Sequence, residues 1–197
     1  MPGLVIDTPV TERTLCQSLS EALKRDTPTA IRYCNDCEQD AVFSQFYSAA
    51  EECTDISCRA DFDECDKEAL DAIVITDGRI VTEAMTAAVA WNRGTGKRTG
   101  IILLERIKPY HTAAEYIAAR LPQKTIPLIF LEEEIRAGGM GVTLADVLSR
   151  EHASILKNKQ MIVLAPEDDF VIRERNESIY MTAGVSAERI LAVLRQF

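Results

Sequence analysis

The stretch AIVITDGRIVTEAMTAAVAWN, residues 72–92, decides the fold. Its first six residues form a continuous apolar run with no alternation, as in a strand buried on both faces. From Val81 onward the apolar positions take helical spacing, and Gly94 is the expected stop. Three more runs of the same kind follow: GIILLERI (100–107), IPLIFLEE (126–133) and MIVLAP (161–166). Between and after them lie the helical patterns HTAAEYIAARLP (111–122), VTLADVLSREHASIL (142–156) and SAERILAVLRQF (186–197), the last with Ser186 as N-cap and Glu188 nearby. Strand and helix alternate four times, which predicts an α/β three-layer sandwich with a mostly parallel sheet over residues 72–197.

Residues 1–34 repeat this grammar once. LVID, the capped pattern TERTLCQSLSEALKRD and PTAIRY make one βαβ unit, too small to bury its own faces. It must dock on the main domain, on another copy of the chain or on a further polypeptide. Residues 35–71 form an acidic join of weak periodicity, with twelve Asp or Glu against Arg59 and Lys67. That segment has a net charge of −10 within a chain of −9, so the remainder is nearly neutral. Without clustered Lys and Arg, nucleic acid is excluded as a partner. No window reaches the roughly 18 apolar residues of a membrane span, and the start lacks the basic and apolar regions of a signal peptide, so a soluble, cytoplasmic protein is expected.

FLEEEIRAGGMG (130–141) sets three carboxylates at the end of the third apolar run, beside a glycine-rich turn that opens a helix. Open parallel sheets bind ligands in this crevice. Glu132, Glu133 and Glu134 would repel a phosphate, and GGMGVTL lacks the third glycine of a dinucleotide turn. A packing role for these glycines is the reading that remains, through positive φ or close backbone approach. GTGKRTG fails as a phosphate loop because Arg98 follows the lysine, and DFDECDKEALDA fails as a calcium loop because Asp66 and Ala72 replace the required Gly and Glu. Cys34, Cys37, Cys53, Cys58 and Cys65 crowd the join. Their spacing lacks a second close pair, so they are weak zinc candidates and no metal is assigned. Neither His111 nor His152 has a nucleophile partner in sequence.

Residues 72–197 resemble the C-terminal domain of the transketolase family of thiamine diphosphate enzymes, with the arrangement most similar to the 1-deoxy-D-xylulose-5-phosphate synthases. The carriers are AIVITDGRIVTEAMTAA, RIKPYH, LEEEIRAGGMGVTLADVL and APEDDFVI followed by GVSAERI. Residues 1–34 resemble the last βαβ unit of the family's pyrimidine-binding domain. The resemblance implies condensation of pyruvate with glyceraldehyde 3-phosphate on thiamine diphosphate and Mg in an assembled enzyme serving isoprenoid biosynthesis. The family's Gly-Asp-Gly signature and its downstream Asn do not occur in these residues, so the chain is expected to bind no cofactor and to be inert alone, with no catalytic residue of its own. The resemblance further implies a homodimeric assembly, with the missing domains on the same gene or a companion subunit. It gives Glu132, Glu133, Gly138, Gly139, Lys108 and Pro109 assembly roles: the glycines allow close approach between subunits, and the glutamates anchor the turn by accepting amide hydrogen bonds. Arg32 is the substrate-binding candidate, although Asn35 stands where the family pattern has a second arginine. The alternatives are the C-terminal domain of a generic transketolase or of a 2-oxoacid dehydrogenase β-subunit, or a non-enzymatic, zinc-stabilised binding module.

Overall fold

The computed structural model describes residues 2–33, 45–47, 58–170 and 178–197. The main sheet has five strands: β3 (Cys58–Ala60), β4 (Ala72–Asp77), β5 (Thr99–Leu104), β7 (Pro127–Leu131) and β8 (Gln160–Leu164), in the spatial order β3-β5-β4-β7-β8. All neighbours are parallel except β3, which runs antiparallel to β5 with Arg59 opposite Leu103. Every residue of β4, β5 and β7 is buried, as their unbroken apolar runs require.

Helices cover both faces. On one, α2 (Val81–Thr95) and α7 (Ala187–Leu194) bring Trp91, Ile190 and Leu194 onto Val74, Ile101 and Leu131. On the other, α3 (Tyr110–Arg120) and α4 (Met140–Glu151) set Ile117 and Leu144 against Ile75, Ile102 and Phe130. Successive residues of a strand thus feed opposite cores, and the three-layer α/β sandwich expected from sequence is the fold. Short helices α5 (Ala153–Leu156) and α6 (Ile179–Thr182) complete this part.

The N-terminal βαβ unit comprises β1 (Val5–Asp7), α1 (Glu12–Ala22) and β2 (Thr29–Ile31), with β1 and β2 parallel. Thr11 and Thr14 cap α1 reciprocally, each hydroxyl accepting the other's amide at 3.1–3.2 Å. The unit docks on the main domain, the first of the possibilities the sequence left open. After β5 the chain turns at Glu105 and forms β6 (Arg106–Lys108), which pairs antiparallel with β1 in a separate sheet ordered β2-β1-β6. Side-chain contacts of Arg106 and Thr8 lock this junction, and Ser18 of the same unit holds Asp7 in place. Arg106 donates to both oxygens of Asp7 at 2.7 and 3.2 Å, Ser18 donates to Asp7 at 2.8 Å, and the Thr8 hydroxyl donates to the Leu104 carbonyl at 2.7 Å.

Four sequence expectations change. GIILLERI is two strands in two sheets, because Asp7 draws Arg106 out of the line of β5. Helix α2 runs through Gly94 and ends at Gly96, whose φ of +73° supplies the left-handed cap that Gly94 does not. The pattern 142–156 breaks at His152 into α4 and α5. Residues 58–71, read as part of the acidic join, belong to the main domain: β3 pairs with β5, and Phe62 and Leu70 pack so close to Gly100 that a Cβ there would meet them at 2.7–2.8 Å.

Candidate functional site

Strand order reverses between β4 and β7: the chain passes from β4 to β5 on one side, then crosses to β7 on the other. This topological switch is where a doubly wound sheet opens a ligand crevice at its carboxyl edge. Thr76 lies opposite Leu131, so the next residues, Asp77 and Glu132, stand side by side at the strand ends, and both are fully buried.

Glu132 turns toward the start of α4. Its Oε2 accepts the Gly141 amide at 3.1 Å. A helix start attracts an anion through its free amides and dipole, and here the chain supplies that anion itself. The approach is close: a Cβ on Gly139 would stand 2.6 Å from Glu132 Oε2 and 2.8 Å from the Ile135 carbonyl. Gly139 is therefore needed for a contact inside the chain, whereas the sequence placed that close approach between subunits. Gly138 has φ +80° and open space around it, so its role is conformational.

Glu133 and Glu134 face the N-terminal unit. Glu133 accepts from the Tyr180 hydroxyl at 2.7 Å rather than from the backbone amides expected of it. Arg32, one residue past β2, reaches across to Asp77 Oδ2 at 3.2 Å, lies 4.0 Å from Glu133 and pairs with Glu134. Arg32, the substrate-binding candidate, thus lies among three carboxylates with 42% of its side chain exposed. A cleft of about 230 Å³ opens beside it, lined also by Thr8, Tyr33, Arg79 and Tyr180. Burial pushes the Asp77 carboxyl up to about 7; Arg32 opposes this, and Glu133 and Glu132 reinforce it. Burial likewise raises Glu132, against the pull of the Gly141 and Met140 amides.

Lys108 pairs with Ile6 at the seam of the two sheets, and Pro109, joined to it by a cis peptide bond, caps α3. Cys34, Cys37 and Cys53 lie outside the described residues. Cys58 is buried on β3, where desolvation pushes its thiol up to about 12, and Cys65 is exposed. Among the described residues no group of three or more His, Cys, Asp or Glu is placed to hold a metal ion. The crevice does not fit a magnesium diphosphate group either: four acids meet there, and the Gly141 amide at the adjoining helix start is already taken by Glu132. Asp77 and Tyr180 escaped the reading of the sequence, as did the pairing of Glu134 with Arg32. The signal for Asp77 was present, a carboxyl ending an apolar strand directly before Gly78.

This architecture is that of the C-terminal domain of transketolases. The chain superposes over its full length on a split-gene transketolase described as an inactive β4 tetramer (TM-score 0.72, 17% identity, 57% of that chain). It also superposes on transketolase from Campylobacter jejuni (TM-score 0.67, 12% identity, 27% of that chain). In sequence it is similar to 1-deoxy-D-xylulose-5-phosphate synthase, at 27% identity over 194 residues of the Oleidesulfovibrio alaskensis protein and 26% over 196 residues of the Alteromonas mediterranea protein. Nearly the whole chain aligns, but it spans only 28–29% of those relatives. No family profile matches it. Among the described residues no helix is long and apolar enough to cross a membrane.

Proposed function

We propose that the chain is the C-terminal part, or a separate C-terminal subunit, of a thiamine-diphosphate-dependent transketolase-like enzyme of the 1-deoxy-D-xylulose-5-phosphate synthase kind. Its role is assembly, and the cofactor and Mg are held by domains outside these residues. In the complete enzyme the reaction is condensation of pyruvate with glyceraldehyde 3-phosphate, with loss of carbon dioxide.

The observation that carries this reading is the N-terminal unit. Helix α1 turns its polar residues Thr14 and Ser18 inward and leaves Leu19 and Leu23 49% and 89% exposed. Strand β2 ends its sheet with one edge unpaired among the described residues. A βαβ unit that is locked to the main domain, with Leu19 and Leu23 exposed on its outer side and one sheet edge unpaired among the described residues, supports a seat for the rest of an α/β domain. Glu132 and Gly139 stiffen the turn next to that seat, and Arg32 ties the unit to the main sheet.

Light scattering on the purified chain tests the assembly role. A mass of two chains at micromolar concentration is expected. The mass of a single chain, unchanged on adding the polypeptide that carries the missing domains, counts against it.

A further inference from the structure

At the opposite, amino edge of the main sheet, the loops leading into β4, β5, β7 and β8 meet around a second cavity of about 500 Å³. Its charged lining is Lys97, Lys124, Lys159 and Asp71, with Asn158 and Phe197 beside them. We propose that this cavity binds a small phosphate-bearing anion, either free phosphate or a phosphate monoester. The inference does not depend on the reading of the chain as part of a thiamine enzyme.

Three ammonium groups against the Asp71 side chain and the terminal carboxylate of Phe197 leave a local positive charge in a chain whose net charge is −9. Lys124 shares Asp71 at 3.2 Å, and Asp71 also accepts the Arg98 amide at 2.9 Å, so this acid is already engaged. Lys97 and Lys159 are half-buried; among the described residues Lys159 has no carboxylate within ion-pair distance, whereas Lys97 meets the terminal residue of the chain. Lys97 Nζ donates to the Phe197 main-chain oxygen at 2.7 Å and lies 5.4 Å from the centre of the Trp91 ring. Lys159 Nζ donates to the Lys124 carbonyl at 3.3 Å. Each such bond uses one of an ammonium's three protons, so donors remain for a ligand.

Burial pulls the Lys159 ammonium below its ordinary range, while Glu68 opposes this from outside the cavity lining. Glu68 itself accepts the Gln123 amide at 2.9 Å. A bound anion would supply the countercharge Lys159 lacks, and Lys97 would share it with the remaining ammonium protons, through charge-assisted hydrogen bonds. The volume lies within the range that holds small ligands. The carboxyl-edge crevice makes the contrast: there acids outnumber their cationic partner and a carboxylate already fills the helix start.

The test is calorimetric titration of the full chain with inorganic phosphate and, separately, with glycerol 1-phosphate, at fixed ionic strength. Saturation at one site per chain is expected, weakened about tenfold by Lys97→Gln and again by Lys159→Gln, the scale of one charge-assisted hydrogen bond. Saturation by both anions supports a phosphate site, and saturation by the monoester alone supports it with an ester as the natural ligand. Absence of saturation by either, or saturation that both variants leave unchanged, overturns it. A second readout needs no variant: phosphate should slow acetylation of Lys97 and Lys159 relative to the exposed Lys24 and Lys157. Equal rates at all four lysines, with or without phosphate, overturn the proposal as well.

Discussion

Replacing Asp77 by Asn should flatten the dependence of stability on pH. The Asp77 side chain is 1% exposed, its Oδ2 meets Arg32 at 3.2 Å, and its Oδ1 meets no donor among the described residues. Burial moves its carboxyl from 3.8 to about 7. Between those values the folded chain keeps a proton that the unfolded chain has released, so stability falls as pH rises, and the loss is complete above about 7. About three pH units at 1.36 kcal/mol each give about 4 kcal/mol. Asn has nearly the same shape and carries no charge, so the variant escapes this loss. Arg32 is not orphaned in the variant, because Glu134 still pairs with it. Urea unfolding of both proteins from about pH 4 to about pH 8 reads the effect, since linear extrapolation gives stability at each pH. The curves should nearly meet at the acid end and diverge by up to about 4 kcal/mol at the alkaline end, with the variant more stable. Glu132, raised in the same direction, is present in both proteins and cancels. Parallel curves would refute the reasoning, because Asp77 would then be ionised throughout as a stable partner of Arg32.

Other substitutions probe separate parts of the structure. Gly139→Ala should destabilise by about 1–3 kcal/mol in urea, because its Cβ would press on the fixed Ile135 carbonyl as well as on Glu132; a loss below about 0.3 kcal/mol would deny the close approach. Arg106→Ala leaves Asp7 buried with only the 3.6 Å contact to Arg25 as an ion pair, a loss of about 3–5 kcal/mol for a buried pair. Hydrogen exchange should quicken across Val5–Asp7 and Thr29–Ile31 before it quickens in Ala72–Asp77, and uniform change would contradict the docked unit. With its thiol pushed up to about 12, Cys58 should resist iodoacetamide at mild alkaline pH while Cys16 and Cys65 react. Labelling of Cys58 as fast as Cys65 would show that β3 opens readily.

The main sheet was legible because β4, β7 and β8 are apolar runs set between helical patterns, and for β4 and β7 burial on both faces leaves little else for such runs to be. Strand β3 was not legible: Cys58–Ala60 is three residues inside an acidic segment, and its pairing with β5 is specified by distant partners rather than by local pattern. The split of GIILLERI was hidden for the same reason, since Asp7, 99 residues away from Arg106, decides where β6 goes. At the crevice, Glu132 to Glu134 could be found as a cluster, but their separate directions could not. One carboxylate caps a helix, one accepts a tyrosine and one pairs with Arg32, and those partners come from α4, α6 and the end of β2. Charge repulsion was the sequence-level argument against a phosphate there. That the vacancy is filled by the chain's own Glu132 required the geometry.

The most direct test of the assembly account is turnover. The purified chain, given pyruvate, glyceraldehyde 3-phosphate, thiamine diphosphate and magnesium, should form no 1-deoxyxylulose 5-phosphate, and product should appear once the polypeptide carrying the missing domains is added. Product formed by the chain alone would contradict the account.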